Sequence, residues 1–487
     1  MSTQTASPAE PANGCGDGRI AALVGLLAAL IYTALGQTTL HHNDGHRILE
    51  LLATGELDFG RHHLATPLIY AFHEVVGAPL GLQPHRSVTL LNALSSGVAV
   101  ALVFSGGRLL ALPRARAGAA AALFGACYPV LFFATLVEFH GVFLPWVTAS
   151  FWLACRWIRR DGFSVALAVG ATAGVATQVH SMGVFASGLF ALWFWASRPD
   201  LARGRRAAQG VAAIATHALV FLACTAYWQS LGWSVGSALG ALPTGAALWD
   251  KLWSGIAATT WRELLLPFAP LPLFAAWALS RPSERPVAIA LFAGCAPYLA
   301  LSTLILGVSE HGAYLAAVAA PMALLAAATA PLQLLAAAAG LTAIVSAGLT
   351  WSHDSEGARY QSFVTGLEQL VEDDRFVLLY CEDPVPGPDA HVDELAAVRI
   401  FAPTTESMRL ESLAAQPAEL VGSQIVAMAG ALPALQAGAR LVMGQATVTA
   451  LRTRYQSGPL LLSALEQVYR LEPRRLAGFD GFELLVK

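Results

Sequence analysis

Long runs of apolar residues fill the chain up to about position 352, and short polar connections separate them. A helix of about 20 apolar residues is needed to cross the roughly 30 Å core of a bilayer. The pattern predicts about eleven transmembrane helices, near residues 19–38, 88–112, 117–137, 141–158, 164–179, 182–197, 208–228, 263–280, 287–307, 314–330 and 332–351. Residues 19–352 are therefore a predicted transmembrane domain, and residues 1–18 are a polar tail.

Beyond residue 352 the pattern changes to mixed polar and apolar positions. The run FVLLYC at Phe376–Cys381 predicts a buried strand, and shorter runs at Val398–Phe401, Gln424–Met428 and Phe482–Val486 predict further strands. Pro459–Tyr469 predicts a helix with proline in its first turn. The fold class that follows is a polytopic α-helical membrane protein with a small C-terminal α/β domain over residues 353–487, in which neither GxGxxG nor a P-loop pattern occurs.

Arginines occur in every second connection up to the one that follows the eighth predicted span. Basic residues of short loops are kept on the cytoplasmic side, and these loops contain Arg114, Arg116, Arg156, Arg159, Arg160, Arg198, Arg203, Arg205, Arg206, Arg281 and Arg285. The alternate connections are longer and hold few basic residues. This asymmetry predicts a cytoplasmic N-terminus and, after an odd number of spans, an extracytoplasmic C-terminal domain.

Composition agrees with a membrane protein: 56% of residues are hydrophobic, only 13% are charged, and the formal net charge is -3. An ordinary soluble domain has about 25% charged residues. The composition therefore excludes a disordered protein and disfavours a wholly soluble one. The near-neutral charge gives no sign of a nucleic-acid partner. Six cysteines, most of them in apolar runs, indicate no disulfide framework.

The first outer loop, residues 39–87, is rich in polar residues. Asn43 or Asp44 could cap a short helix from Gly45 to Thr54 with one apolar face, and Gly55 would end it. Such an amphipathic helix is expected to lie flat in the outer membrane interface. Asp44 would then lie at the outer end of the first membrane helix. In the alternative interpretation Asp44 only caps the helix and pairs with Arg47.

Three features occur in order: an acidic residue after the first span, an interfacial helix ending at a glycine, and the segment RHHLATPL at Arg61–Leu68. Together they resemble the GT-C glycosyltransferase superfamily, above all protein O-mannosyltransferases and bacterial aminoarabinose transferases. The resemblance covers the layout of residues 19–350 and includes Glu138 and the segment around His180. It departs from the family pattern in having the lone Asp44 instead of an acidic pair.

The resemblance implies a membrane enzyme, multi-pass in a bacterial inner membrane, that takes a sugar from a polyprenyl-phosphate donor to a lipid, protein or glycan acceptor outside the cytoplasm. Transfer needs a carboxylate to accept the acceptor's proton and cations to hold the leaving phosphate. Asp44 is the candidate base, and a single base implies inversion. The candidate phosphate ligands are Arg61, His62, His63, Arg86, Arg262, His311 and Tyr314.

Further polar residues map to outer helix ends. Glu138 is a second catalytic candidate, and His46, His140 and His180 are candidates for acceptor binding or for support of the site. Each also has a plain structural interpretation, as a polar turn or a hydrogen-bonded helix end. His217 lies in mid-span, where an ionised side chain is costly, and is expected to be neutral and packed against another helix.

No cofactor is required by this chemistry, although His41, His42, Asp44 and His46 could together bind a divalent metal ion. Their spacing matches no known zinc signature. Two other classes of function stay open: a transporter or flippase, which is expected to show repeats and mid-membrane charges, and a non-catalytic membrane scaffold. The sugar and the acceptor are not encoded in any recognisable motif.

Overall fold

The computed structural model describes residues 15–40, 42–55, 57, 62–233, 245–305, 311–371, 376–381, 393–410, 439–453, 455, 457–476 and 478–487. They divide into two compact units. Unit 1 comprises residues 1–36, 56–76 and 86–350, and unit 2 comprises residues 37–55, 77–85 and 351–487. The longest continuous part of unit 2 begins at Trp351.

In chain order, the helices up to residue 371 are α1 (Cys15–Ala34), α2 (His42–Thr54), α3 (Ala65–Phe72), α4 (Pro84–Leu109), α5 (Arg114–Ala126), α6 (Tyr128–Thr135), α7 (Phe139–Arg159), α8 (Phe163–Val179), α9 (Ala186–Ser197), α10 (Arg203–Ser230), α11 (Ala246–Thr259), α12 (Leu271–Ala278), α13 (Arg285–Ile305), α14 (Ala316–Thr329), α15 (Leu332–Asp354) and α16 (Gly357–Val371). Single π-helical turns cover His73–Gly77 and Thr260–Leu265, and short 3-10 turns cover Ala78–Leu80, Ser181–Phe185 and Ala313–Leu315.

Each of the eleven predicted windows overlaps a helix of the described residues, but fewer of these helices reach the length of a membrane span. Five helical stretches are long and apolar enough to cross a membrane, those at Gly16–Ala34, Pro84–Leu109, Arg203–Ser230, Arg285–Ile305 and Leu332–Leu370. The predicted span at 117–137 is a pair of helices, α5 and α6, bent by 61°. Pro129 in the first turn of α6 explains a new start there, because proline fits that position without losing a hydrogen bond.

His217 of α10 is buried inside unit 1, as its position in an apolar run predicts. Its Nε2 lies 2.9 Å from Thr177 Oγ1 of α8, and its Nδ1 lies 2.8 Å from Ser187 Oγ of α9. Both ring nitrogens therefore have hydroxyl partners, and the ring joins three helices. This arrangement confirms a packing role for His217.

Unit 2 contains a five-stranded sheet with strands β1 (Phe376–Tyr380), β2 (Glu406–Arg409), β3 (Arg440–Gly444), β4 (Tyr469–Leu476) and β5 (Phe479–Val486) in the order β2-β1-β3-β5-β4. β1 pairs in parallel with β2 and β3, and β5 pairs antiparallel with β3 and β4. The remaining helices are α17 (Glu394–Phe401), α18 (Gln445–Thr453) and α19 (Gly458–Val468). The α/β class, the strand at FVLLYC, the helix after Ser457 and the closing strand are confirmed.

One predicted strand is wrong. Val398–Phe401 lies in helix α17, whose first turn is capped by Asp393: its Oδ1 accepts a hydrogen bond from Ala396 N at 3.0 Å. Capping of the backbone N–H groups and the alanines that follow favour a helix over a strand. The strand predicted at Gln424–Met428 lies outside the described residues.

Helix α2 begins at His42, earlier than the predicted start at Gly45, and Asp44 lies in its first turn. Ile48, Leu49 and Leu51 form its buried face. Gly55 ends the helix as predicted, with a φ of 72° that favours glycine. Arg47 Nη1 donates to Glu50 Oε2 at 2.7 Å along the exposed side.

Candidate functional site

Two histidines and a glutamate of unit 1 gather at one end of the hairpin formed by α7 and α8. Glu138 immediately precedes α7, and His180 immediately follows α8. Arg156 and Arg159 lie in the last turn of α7, at the opposite end. The predicted separation of polar candidates from the arginine-rich connections is therefore present in this hairpin.

Glu138 is buried, with only 2% of its surface exposed. Its backbone is extended, and its Oε1 accepts a hydrogen bond from Phe139 N at 2.9 Å, which caps α7. The same oxygen lies 3.2 Å from His140 Nδ1. Burial raises the pKa of Glu138 to about 8, against the opposing effect of the Phe139 hydrogen bond. The carboxyl group is therefore mostly protonated at neutral pH.

Aromatic rings pack around this glutamate in a continuous stack. The His62 ring lies 4.5 Å from the Phe139 ring and 4.6 Å from the His180 ring. The His140 ring lies 4.3 Å from His180 and 4.5 Å from Phe133. Three predicted candidates, His62, His140 and His180, are thus brought together with Glu138, and all are buried.

His180 is held in its neutral form. Burial, followed by the charge of His140, moves the pKa of His180 well below its usual value. Its Nδ1 accepts a hydrogen bond from Met182 N at 3.2 Å. In a neutral imidazole the other nitrogen then carries the proton, so Nε2 of His180 is a hydrogen-bond donor and the ring adds no positive charge for a phosphate.

Gln178 fixes the segment that carries the two adjacent histidines. Its backbone oxygen accepts from Leu64 N at 3.0 Å. Its side chain donates to Phe221 O at 3.1 Å and accepts from Trp228 Nε1 at 3.1 Å. His63 packs near Trp228, with a ring distance of 6.2 Å. His62 and His63 are therefore buried in aromatic surroundings.

Asn92 of α4 positions Glu138 and was missed by the sequence analysis. Its Nδ2 donates to Leu136 O at 2.7 Å and to Glu138 O at 2.9 Å, and the side chain is fully buried. Gly141 makes room for it, because a Cβ at Gly141 would lie 2.5 Å from Asn92 Cγ. The signal was available: an amide inside an otherwise apolar span is rare and marks a specific contact.

Asn92→Ala should destabilise the protein. It leaves the carbonyls of Leu136 and Glu138 without their donor in a buried place, at a cost of about 2–4 kcal/mol. We expect a lower melting temperature in detergent. Ser96→Ala is the matched control on α4, because the buried Ser96 hydroxyl has no hydrogen-bond partner among the described residues. Equal losses of stability in both variants would contradict the role given to Asn92.

A second buried carboxylate, Glu263, was also missed. It lies in the π-helical turn Thr260–Leu265 and is fully buried; π-helical turns are frequent at functional sites. Its Oε1 accepts from Arg262 Nε at 3.1 Å, and its Oε2 accepts from Gly312 N at 2.9 Å. Glu263 thus connects Arg262, whose side chain is 39% exposed, to the segment that carries His311 and Tyr314.

His311 and Tyr314 extend the ring stack. The His311 ring lies 5.4 Å from Tyr128 and 5.2 Å from Phe132, edge to face. The Tyr314 ring lies 6.0 Å from His140 and 5.8 Å from His180. Among the described candidates of unit 1, Arg262 combines a positive charge with partial exposure next to this cluster.

Gly312→Ala should disturb this part of the site. Gly312 has a φ of 81°, and a Cβ there would lie 2.7 Å from the Phe268 ring and 2.9 Å from Glu263 O. The left-handed backbone alone costs a non-glycine residue about 1–2 kcal/mol, and the contacts add to this. We expect a lower melting temperature. Gly118→Ala in α5, where nothing lies within 4 Å, should instead raise stability by about 0.5–1 kcal/mol. A Gly312→Ala variant as stable as wild type would contradict the tight packing.

The remaining candidates lie elsewhere. Arg86, at the start of α4, is exposed and its Nη1 donates to Gly36 O at 3.4 Å, just beyond α1. Arg61 and His41 lie outside the described residues. Asp44, half-buried, belongs to α2 in unit 2.

His46, also in unit 2, contacts Asp393: its Nε2 lies 2.9 Å from Asp393 Oδ2. Burial alone would raise the pKa of Asp393, but the charge and hydrogen bond of His46 hold that pKa below its usual value. The pair connects α2 to the N-terminus of α17. His46 therefore has a structural partner, and its predicted role in acceptor binding stays a prediction.

For the predicted metal site, the described residues contain no group of three or more histidine, cysteine, aspartate or glutamate side chains that could hold an ion. His41 and the side chain of His42 lie outside that description. Asp44 and His46 are the two members of the predicted set whose side chains are described.

No protein-family model matches the chain, and no curated protein matches it. Solved structures do resemble it. A crystal structure of ArnT from Cupriavidus metallidurans bound to undecaprenyl phosphate aligns with a TM-score of 0.54 and 13% identity, covering 96% of this chain and 98% of that chain. The apo form of the same protein aligns with a TM-score of 0.55 and 13% identity, covering 97% and 98%.

The predicted resemblance to GT-C glycosyltransferases is confirmed at the level of the fold, since ArnT belongs to that superfamily. The likeness extends over nearly the whole of both chains, so it includes the helical unit and the C-terminal α/β part. At 13% identity it establishes the fold alone.

Proposed function

We propose that the protein is an extracytoplasmic membrane glycosyltransferase that moves a sugar from a polyprenyl-phosphate donor to a lipid, protein or glycan acceptor. The observation that supports this most strongly is the likeness to ArnT, bound to undecaprenyl phosphate, over 98% of that chain. A resemblance in fold limits the possible functions without fixing one, so the proposal also depends on the chemistry of the residues.

In the proposed reaction, Asp44 accepts the proton of the acceptor's attacking hydroxyl or amine. The new bond forms at the anomeric carbon as the bond to the phosphate oxygen breaks, which inverts the configuration. The polyprenyl phosphate leaves as an anion. Asp44 is assigned this role by the family resemblance of its sequence context.

Arg262 is the proposed ligand of the leaving phosphate, because a guanidinium can stabilise the developing negative charge and Glu263 holds it in place. Glu138, His140 and His180 are proposed to position the site instead of reacting. Their burial, and the neutral forms that burial favours in Glu138 and His180, suit hydrogen bonding to neighbouring groups.

The test begins with mass spectrometry of the lipids that co-purify with the full chain. We expect a polyprenyl phosphate or its glycosylated form. Transfer is then measured with that lipid and an extract of the cell envelope as acceptor. If the protein moves the lipid from one leaflet to the other without consuming it, the protein is a flippase. If it neither binds nor consumes the lipid, the proposal is contradicted.

A further inference from the structure

Helix α2, which carries Asp44, belongs to the same compact unit as the chain from residue 351 onward. Its buried apolar side chains are Ile48, Leu49 and Leu51, so its apolar packing begins about one turn after Asp44. Apolar packing is non-directional, and it does not by itself fix the direction of a side chain in the first turn. A directed polar contact near Asp44 can do so.

Asp393 makes such a contact with α2. Its Oδ2 lies 2.9 Å from Nε2 of His46, and the side chains of Asp393 and His46 are only 25% and 14% exposed. Its other oxygen, Oδ1, accepts a hydrogen bond from Ala396 N at 3.0 Å and caps α17. A charged contact at this exposure is screened by salt less than one at the surface. One carboxylate therefore fixes both the start of α17 and the first turns of α2.

The chain that leads into α2 is also held by the residues that follow position 351. Thr38 N and Thr38 Oγ1 both donate to Asp354 Oδ1, and His353 Nδ1 lies 2.6 Å from Gln37 Oε1. A Cβ at Gly357 would overlap Thr38 Oγ1, so the two segments are in close contact. The C-terminal part of unit 2 thus holds α2 in two places, before the helix begins and in its first turns.

We propose that Asp393 is a positioning residue for sugar transfer: through His46 it fixes the first turns of α2 and thereby the direction of the Asp44 carboxylate. This inference rests on the proposed function, because it takes Asp44 as the base. A misplacement of about 1 Å can cost about 10² in rate. Loss of the contact with His46 therefore slows the reaction although no reacting group is removed.

The test is Asp393→Ser in the full chain. Serine caps a helix about as well as aspartate, but its single short side-chain oxygen cannot also reach His46. We expect the single-turnover rate at saturating donor and acceptor to fall about 10–100-fold, with an unchanged dependence on the concentration of the donor lipid. Hydrogen–deuterium exchange over residues 42–47 should become faster. Exchange over β1 and β3 should stay that of wild type, which verifies that the sheet is folded.

His46→Ala and Asp480→Ser complete the set of variants. If Asp393 acts through His46, then His46→Ala slows transfer as much as Asp393→Ser, and the double variant is no slower than either single variant. Additive losses in the double variant would overturn the positioning role. Asp480→Ser is the matched control, because Asp480 pairs with the exposed Arg475 in the same unit, and it should leave the rate unchanged.

Asp44→Asn separates the failure of this inference from the failure of the proposed function. If Asp44→Asn slows transfer and Asp393→Ser does not, the positioning role is overturned and the proposed function stands. If Asp44→Asn transfers sugar at the wild-type rate, the base is wrongly assigned and the positioning role is overturned with it. A wild-type protein that transfers no sugar contradicts the proposed function itself.

Discussion

Asp44→Asn should lower the rate of sugar transfer by about 10²–10⁴-fold, the usual contribution of a positioned general base. An amide has nearly the same shape as the carboxylate but cannot accept the proton. Asparagine is also well tolerated in the first turn of a helix, so α2 should still form. The measurement is the single-turnover rate with the co-purified lipid donor, and in cells the donor should accumulate.

Glu50→Gln is the control for this prediction. Glu50 lies in the same helix, is half-exposed and pairs with Arg47, so its substitution should change the rate little, as is usual for exposed ion pairs. If Asp44→Asn and wild type transfer sugar at equal rates, Asp44 is not the base. The glycosyltransferase proposal would then survive only with another residue in that role.

The large-scale organisation could be predicted because it follows from hydrophobic length and periodicity. The eleven apolar windows overlap helices of the described residues, and FVLLY is strand β1 because a short, wholly apolar run suits a buried strand. Gly55 marks the end of α2 because few other residues adopt its backbone conformation. In each case the prediction uses only residues that are close together in the sequence.

The errors come from interactions that a pattern of apolar residues does not record. Val398–Phe401 contains residues typical of strands, but the cap at Asp393 begins a helix there. Strand β4 contains Pro473 and several charged residues, and its pairing with β5 is what makes it a strand. A helix cap or a paired strand can thus override the preference of the individual residues.

The candidate site was predicted only in part, because several of its contacts join residues that are distant in sequence. Histidines and Glu138 at helix ends were recognised by their residue types, and the structure brings His62, Glu138, His140 and His180 together. Asn92 and Glu263 were missed because they lie within windows selected for being apolar. Asn92 is hydrogen-bonded to the segment Leu136–Glu138, and Glu263 is hydrogen-bonded to Gly312. These partners are distant in sequence, so the sequence does not show that they lie close together.

Glu138→Gln should remove a dependence of stability on pH. The pKa of Glu138 rises from 4.5 to about 8 on folding, so between these pH values the folded chain keeps a proton that the unfolded chain releases. The free energy of unfolding therefore falls as pH rises through this window. Glutamine is neutral throughout and still offers an oxygen to Phe139 N. Above pH 8 the variant should be the more stable protein, by up to about 5 kcal/mol.

The measurement is thermal unfolding in detergent across this pH range, with Glu74→Gln, an exposed carboxylate of the same unit, as the control that should follow wild type. Identical pH dependence in Glu138→Gln and wild type would mean that Glu138 has the same pKa in the folded and the unfolded chain. Glu138 would then be ionised at neutral pH, and its proposed role as a neutral hydrogen-bonding group would be wrong.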